Sequence, residues 1–276
     1  MRSTAAAFIV VALCGTGLAH AEVPLPFASH RAAYELTLLP ERESAPANSQ
    51  KPVSAGGLIA YEFRGSSCEG YASNFRQVTE IQRNEGDPVT GDTSAALFED
   101  GEGKLLRFQV DTKSGDKEEP TVVGSAAHKD ADATLVEITK PKREKVDLGK
   151  DVLFPTQHIA RIIEAAKRGD ISYEARVFDG TDGGKKLFQT LSVIGKPASK
   201  PSDDFAVADS LKSVRRWPLV ISYFDEKGKD SAPEYVESFD LYENGVSGTL
   251  RIDYNTFSLL AQMKKFESLP TAHCAK

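Results

Sequence analysis

After residue 30, apolar and polar residues alternate one by one along most of the chain. Tyr34, Leu36 and Leu38 fall on one face of an extended segment, with Glu35 and Thr37 on the other. Ile59, Tyr61 and Phe63 repeat the pattern against Glu62 and Arg64, and Leu106, Phe108 and Val110 continue it. Val136 with Ile138 follows, then Ile171, Tyr173, Ala175 and Val177, then Leu219, Ile221 and Tyr223. Tyr235, Glu237, Phe239 and Leu241 share a phase, and Val246, Gly248, Leu250, Ile252 and Tyr254 make the longest clean run. Successive side chains of a strand point to opposite faces, so this period of two predicts half-buried antiparallel strands.

Turn signals separate the runs: Asn84 to Pro88, Asp100 to Gly103, Asp179-Gly180, Gly183-Gly184, Glu226 to Gly228 and Glu243 to Gly245. Each stands where a hairpin must reverse. The spacing predicts a barrel or sandwich of about a dozen or more strands. One segment changes period. Ile159, Ile162, Ile163 and Ala166 fall at helical spacing between Pro155, suited to a first turn, and Lys167-Arg168-Gly169, suited to a last one. A helix is expected over 155–168. Ser258 to Phe266 fits both periods, and the turn Tyr254-Asn255-Thr256 before it favours a strand. Pro40 to Ser54 and Lys196 to Ser210 read as loops. The helix stands between a region ending near 150 and one beginning near 170. A single domain over 22–276 is expected, with two β-rich halves (22–150 and 170–276) as its possible subdivision.

The first 21 residues have a different character. Arg2 precedes the apolar run Ala5 to Leu13, and Ala19-His20-Ala21 places small residues where a signal peptidase reads them. The run is too short to span a bilayer, which takes about 20 residues. A lipoprotein signal cut before Cys14 would want a small residue where Leu13 stands. Cleavage after Ala21 is therefore expected, and no later segment is apolar enough to anchor the product. The exported chain should be soluble outside the cytoplasm.

The 276 residues are 40% hydrophobic and 27% charged, which excludes a disordered tail, a fibre and a polytopic membrane protein. The net charge of −6 argues against nucleic acid as a partner, since phosphate binding needs a concentrated basic face. Three cysteines become two once Cys14 leaves with the signal. Cys68 and Cys274 then remain in an oxidising compartment, where one structural disulfide is the expected state. The rival reading, a Cys68 thiolate with His30, His128 or His158 as base, leaves Cys274 without a role.

Other chemistry is sparse. The exported chain keeps histidines at 30, 128, 158 and 273, with no zinc-type spacing, so neither metal nor cofactor is expected. Asp179 to Gly184 lacks the acidic ladder of a calcium loop and reads as a polar hairpin. Gly101-Glu102-Gly103-Lys104 lacks the parts of a phosphate loop. Gly245 to Thr249 misplaces the second glycine of a nucleophile elbow. Ser66 and Ser67 have no basic partner nearby in sequence. His158 reads as a surface or hydrogen-bonded structural histidine. An open sheet of this size leaves an apolar concavity able to hold one ligand.

Several strings, in order, resemble one family. His30-Arg31-Ala32-Ala33-Tyr34-Glu35-Leu36 opens the exported chain, followed by Gly57 to Phe63 and Cys68-Glu69-Gly70-Tyr71. Phe154-Pro155-Thr156-Gln157-His158 begins the helix, and Phe178-Asp179-Gly180 follows it. Tyr242 to Ser247, Asp253-Tyr254 and Cys274 close the series. Together they are similar to the EipB family of cell-envelope integrity proteins of the alphaproteobacterial periplasm. That resemblance implies a mainly β, broken and overlapping antiparallel barrel (a β-spiral) with one prominent helix, and a disulfide between Cys68 and Cys274. It also implies a role in envelope integrity under stress, with no established enzymatic activity and no catalytic residues to transfer. The expectation is a non-enzymatic protein that binds a lipid-like or peptide ligand, or an envelope partner protein. The alternatives are an envelope-polymer hydrolase with residues assembled in a cleft, and a purely structural scaffold.

Overall fold

The computed structural model describes residues 27–40, 51–130, 133–228, 232–270 and 274. The expected signal segment, its cleavage point after Ala21, His273 and the stretch 41–50 of the first expected loop lie outside the described residues.

Sixteen strands and one α-helix are formed among the described residues. They are β1 (His30–Leu38), β2 (Pro52–Ser66), β3 (Gly70–Arg83), β4 (Val89–Glu99), β5 (Leu105–Ser114), β6 (Lys117–Glu118), β7 (Val122–Asp130) and β8 (Ala133–Lys140). Then come β9 (Glu144–Asp147), β10 (Val152–Leu153), α1 (Pro155–Arg168), β11 (Ser172–Val177) and β12 (Phe188–Ile194). β13 (Arg216–Asp225), β14 (Tyr235–Tyr242), β15 (Ser247–Tyr254) and β16 (Ser258–Ser268) complete the order. The alternation seen in sequence is the burial pattern observed. In β1, His30, Ala32, Tyr34 and Leu36 are buried while Arg31, Glu35 and Thr37 are exposed.

All sixteen strands lie in one sheet, in the order β10-β11-β12-β13-β14-β15-β16-β1-β2-β3-β4-β5-β7-β8-β9, with β6 hydrogen-bonded to β5. Neighbours are antiparallel except β10 and β11, which the helix connects in parallel. The first strand sits beside the last, with His30 opposite Ser268 and Leu38 opposite Leu259, so strands from both flanks of the helix share one hydrogen-bonded path. The path begins at β10 and ends at β9. These two strands are consecutive in the chain and do not pair, so the barrel stays open. Its two ends overlap instead: Leu106, Phe108 and Val136 from one end share a core with Val152, Phe154 and Phe178 from the other. Arg176 reinforces the overlap by donating to the carbonyls of Leu148 and Lys150 while pairing with Glu226.

The helix packs its Ile162, Ile163 and Ala166 onto Trp217, Leu219 and Ile221 of β13 and Phe239 and Leu241 of β14. It ends at Gly169, whose φ of 86° is the left-handed conformation that an L side chain resists. Its start has no local side-chain cap at Phe154.

Several sequence expectations need correction. Pro52 to Ser54 belongs to β2 rather than a loop, and Lys196 to Ser210 is interrupted by short 3₁₀ turns at Asp203–Ala206 and Asp209–Leu211. Ile171 precedes β11 and is 77% exposed, so it does not share the buried face of Ala175 and Val177. Strands β3, β4, β6, β7, β9, β10 and β12 carry none of the alternating runs named above. β3 is half-buried on both faces along most of its length, which erases the contrast that alternation depends on.

Candidate functional site

The open sheet curls around a cavity of about 360 Å³. Its walls come from β1, β2, β3, β14, β15 and the helix. Ile59, Ile159, Leu250 and Ile252 supply aliphatic surface, and Tyr61, Phe75, Tyr235 and Tyr254 supply aromatic surface. The volume falls in the range of small-molecule sites, and the lining is mostly apolar with a few polar groups, as such sites are.

One carboxyl group lies in that lining. Glu237 sits on β14 in phase with Phe239 and Leu241, so its side chain points inward. It is half-buried because the surface it retains faces the cavity. The Tyr223 hydroxyl donates to its Oε2 at 3.2 Å. Burial pushes the Glu237 carboxyl up to about 7; the Tyr223 bond opposes this, and the nearby Asp179 charge adds to it. The Tyr223 ring stacks on Tyr235 at 4.4 Å, and Tyr235 lies 6.4 Å from Tyr254, so an aromatic wall flanks the acid. Burial raises the Tyr34, Tyr61, Tyr223 and Tyr235 hydroxyls above the ordinary range, which keeps them neutral donors. Asp179 does not line the cavity; its Oδ1 accepts the backbone N–H and hydroxyl of Thr181, closing the polar hairpin expected there.

The histidines are dispersed. His30 lines the cavity, but its Nδ1 is hydrogen-bonded to the Ala28 carbonyl and burial lowers its pKa. His158 is buried on the inner face of the helix's first turn. Its Nε2 lies 3.2 Å from Thr190 Oγ1, whose proton goes to the Ala175 carbonyl, so the imidazole donates there and burial depresses it to about 4. It is the hydrogen-bonded structural histidine of the two readings offered for it. His128 stacks on Phe154 at 4.8 Å and bonds Thr134. Cys68 and Cys274 are joined, with S–S 2.14 Å and Cα–Cα 5.7 Å, which leaves no thiol at 68 to serve as a nucleophile. Ser66 Oγ lies 3.2 Å from Cys68 Sγ, beside the bridge. Gly101 to Lys104 forms the β4–β5 turn, and a Cβ on Gly101 would stand 1.7 Å from the Ser67 carbonyl, so that turn abuts the disulfide segment. Gly245 to Thr249 turns into β15, with the Thr249 N–H and hydroxyl held by Asp204.

A larger depression of about 560 Å³ lies on the other face of the sheet, over Ala33, Ala60 and Ala96. At its rim Arg31 pairs with Glu62 and Glu267, Arg76 pairs with the neighbouring Asp92, and Lys265 and Asp111 add further charges. The internal cavity is the better candidate, because its carboxyl is enclosed and its remaining surface faces the void. Glu237 was visible in the sequence as an acid in the apolar phase of a strand, a departure that alternation alone does not convert into a site.

Comparison with known proteins decides the family. The EipB-like family matches residues 21–270. The chain belongs to the EipB-like family. It is 35% identical over 257 residues to the cell envelope integrity protein EipB of Brucella abortus (strain 2308), covering 92% of this chain and 89% of that one. The fold superposes with a TM-score of 0.81 on a crystal structure of a β-barrel-like protein of a domain of unknown function, DUF1849, from Brucella abortus. That match has 32% identity and covers 89% of this chain and 100% of the other. The mainly β, barrel-like architecture is thus shared with a solved structure of similar sequence. No helix among the described residues is long and apolar enough to cross a membrane.

Proposed function

We propose that this EipB-like protein is exported to the periplasm by cleavage after Ala21 and supports envelope integrity by holding a lipid-like ligand in the cavity between β1–β3, β14–β15 and the helix. The role is one of binding rather than catalysis. The observation that carries this reading is the cavity itself, apolar on most of its wall and provided with one enclosed carboxyl that would orient a polar end. The likeness to a named envelope integrity protein supports the cellular setting.

Native mass spectrometry of the protein gently isolated from its own envelope fraction tests this, before and after extraction with organic solvent. Extra mass that extraction removes is the expected result, and its composition would name the ligand. A bare chain mass in both samples would overturn the carrier reading.

A further inference from the structure

Resting on that reading of the cavity, we infer that the preferred ligand is a cationic amphiphile, with an ammonium group held against Glu237 beside the rings of Tyr235 and Tyr254 and an aliphatic portion along Ile59, Ile159, Leu250 and Ile252.

The charge pattern of the wall supports the choice of sign. Among the described residues lining the cavity there is one carboxyl group and no lysine or arginine. Burial disfavours the charged form of the imidazole present, His30, although its bond to the Ala28 carbonyl opposes this. An anionic head group would meet Glu237 with no cation to receive it, and burying an unpaired charge is strongly unfavourable. An ammonium would meet the reverse situation, because its charge compensates a carboxylate that the fold otherwise isolates.

The aromatic geometry points the same way. Tyr235 and Tyr254 stand directly opposite each other on β14 and β15, with centroids 6.4 Å apart and planes at 42°, forming two adjoining walls. Glu237 follows Tyr235 by two residues on the same face, so the acid and the rings converge on one end of the cavity. Ring faces attract cations within about 6 Å of the centroid, and rings joined by an acid suit an alkylated ammonium. Leu250 and Ile252 continue along β15, and Ile59 and Ile159 face them from β2 and the helix, which gives the tail its path.

The groups acting on Glu237 are Tyr223 from β13, Tyr235 on its own strand, Tyr254 from β15 and Asp179 from the turn after β11. Near neutral pH the tyrosines are uncharged. Asp179, itself raised by burial, is an acid and adds to the negative potential when ionised.

The test uses three probes with the same ten-carbon tail below their micelle concentrations: decyltrimethylammonium, decyl sulfate and decyl maltoside. Binding to the exported form of the protein, freed of co-purifying lipid, is measured by titration calorimetry at pH 7.5 and 5.5, with the fold checked by circular dichroism. The expected result is at least tenfold tighter binding of the ammonium than of the other two at pH 7.5. Its affinity should fall about tenfold at pH 5.5, as Glu237 takes up a proton. Glu237→Gln should abolish the preference, bringing the ammonium's affinity to within about twofold of decyl maltoside's in the same variant, and Tyr254→Leu should weaken the ammonium more than the other two probes. Should Glu237→Gln fail to fold, the order of the three probes on the unmodified protein at pH 7.5 still decides. Equal binding of all three probes, or a preference that survives in Glu237→Gln, overturns the inference while leaving the cavity reading intact. Binding of none of them overturns both.

Discussion

The Glu99 carboxylate caps the helix through Thr156: Oε1 accepts both the Thr156 backbone N–H and its hydroxyl at 2.7 Å. The acid comes from the end of β4, far from the helix in sequence, and replaces the local cap that Phe154 cannot provide. It is 3% exposed, and burial raises its carboxyl to about 7 despite the Thr156 bonds. Glu99→Ala should therefore lower stability by about 1–3 kcal/mol, since it removes a cap and leaves a buried N–H without a partner. Glu99→Gln, which keeps the acceptor, should lose less. Urea denaturation of the two variants checks this, and equal midpoints for both would sink it.

The disulfide acts at the same end of the molecule. Cys68 follows β2, beside the Gly101 turn that leads into β5, and the bridge brings residue 274 there across a separation of 206 positions. Closing a loop of that size is worth roughly 5 kcal/mol at most in the chain-entropy view. At about 2–4 °C per kcal/mol, that bounds the fall in melting temperature on reduction at about 10–20 °C, and a loss of several degrees is expected. Calorimetry with and without reductant measures the difference, and coincident curves would remove the structural role.

Two isoleucines three residues apart on the helix should behave differently. Ile162 is fully buried against β13, so Ile162→Ala leaves a cavity and should cost about 2–5 kcal/mol. Ile159 already borders a void, and Ile159→Ala should cost about 1 kcal/mol while enlarging the ligand cavity. Chemical denaturation separates them; an equal loss for both would mean that the cavity collapses around residue 159.

Much of this fold was legible because half-buried strands write their burial directly into the sequence. β1, β5 and β13 show it, β16 is legible only through the turn before it because it fits both periods, and the helix is marked by its change of period and by Pro155 and Gly169. β3 and β4 were not legible, since Ser73, Asn74, Arg76 and Ala96 lie on a sheet with partial exposure on both sides. The capping of Thr156 by Glu99 and the meeting of Glu237 with Tyr223 and Asp179 depend on which strands become neighbours. No local rule fixes that. Pairing of the first strand with the last is likewise a property of the whole strand path rather than of either segment.

Glu237 should reveal itself in the pH dependence of stability. Its carboxyl stands near 7 in the fold against an ordinary value of 4.5, so between those values the folded chain binds more protons than the unfolded one. Stability then falls as pH rises through that window, and Glu99 contributes in the same sense. His158 works oppositely. Lowered from 6.5 to about 4, it is neutral in the fold, and its contribution is lost as pH falls through that range. The wild-type curve mixes these effects, but its difference from Glu237→Gln isolates one of them. A shift of this size corresponds to roughly 3 kcal/mol across the window. The melting temperature of Glu237→Gln relative to wild type should accordingly rise between pH 5 and pH 7.5, because the amide never ionises. The same comparison with a bound ammonium amphiphile should reverse its sign at pH 7.5, since the cation then stabilises the wild-type carboxylate and gives the amide no such gain. A difference that stays constant with pH in the free protein would show that Glu237 titrates near its ordinary value and is open to bulk water.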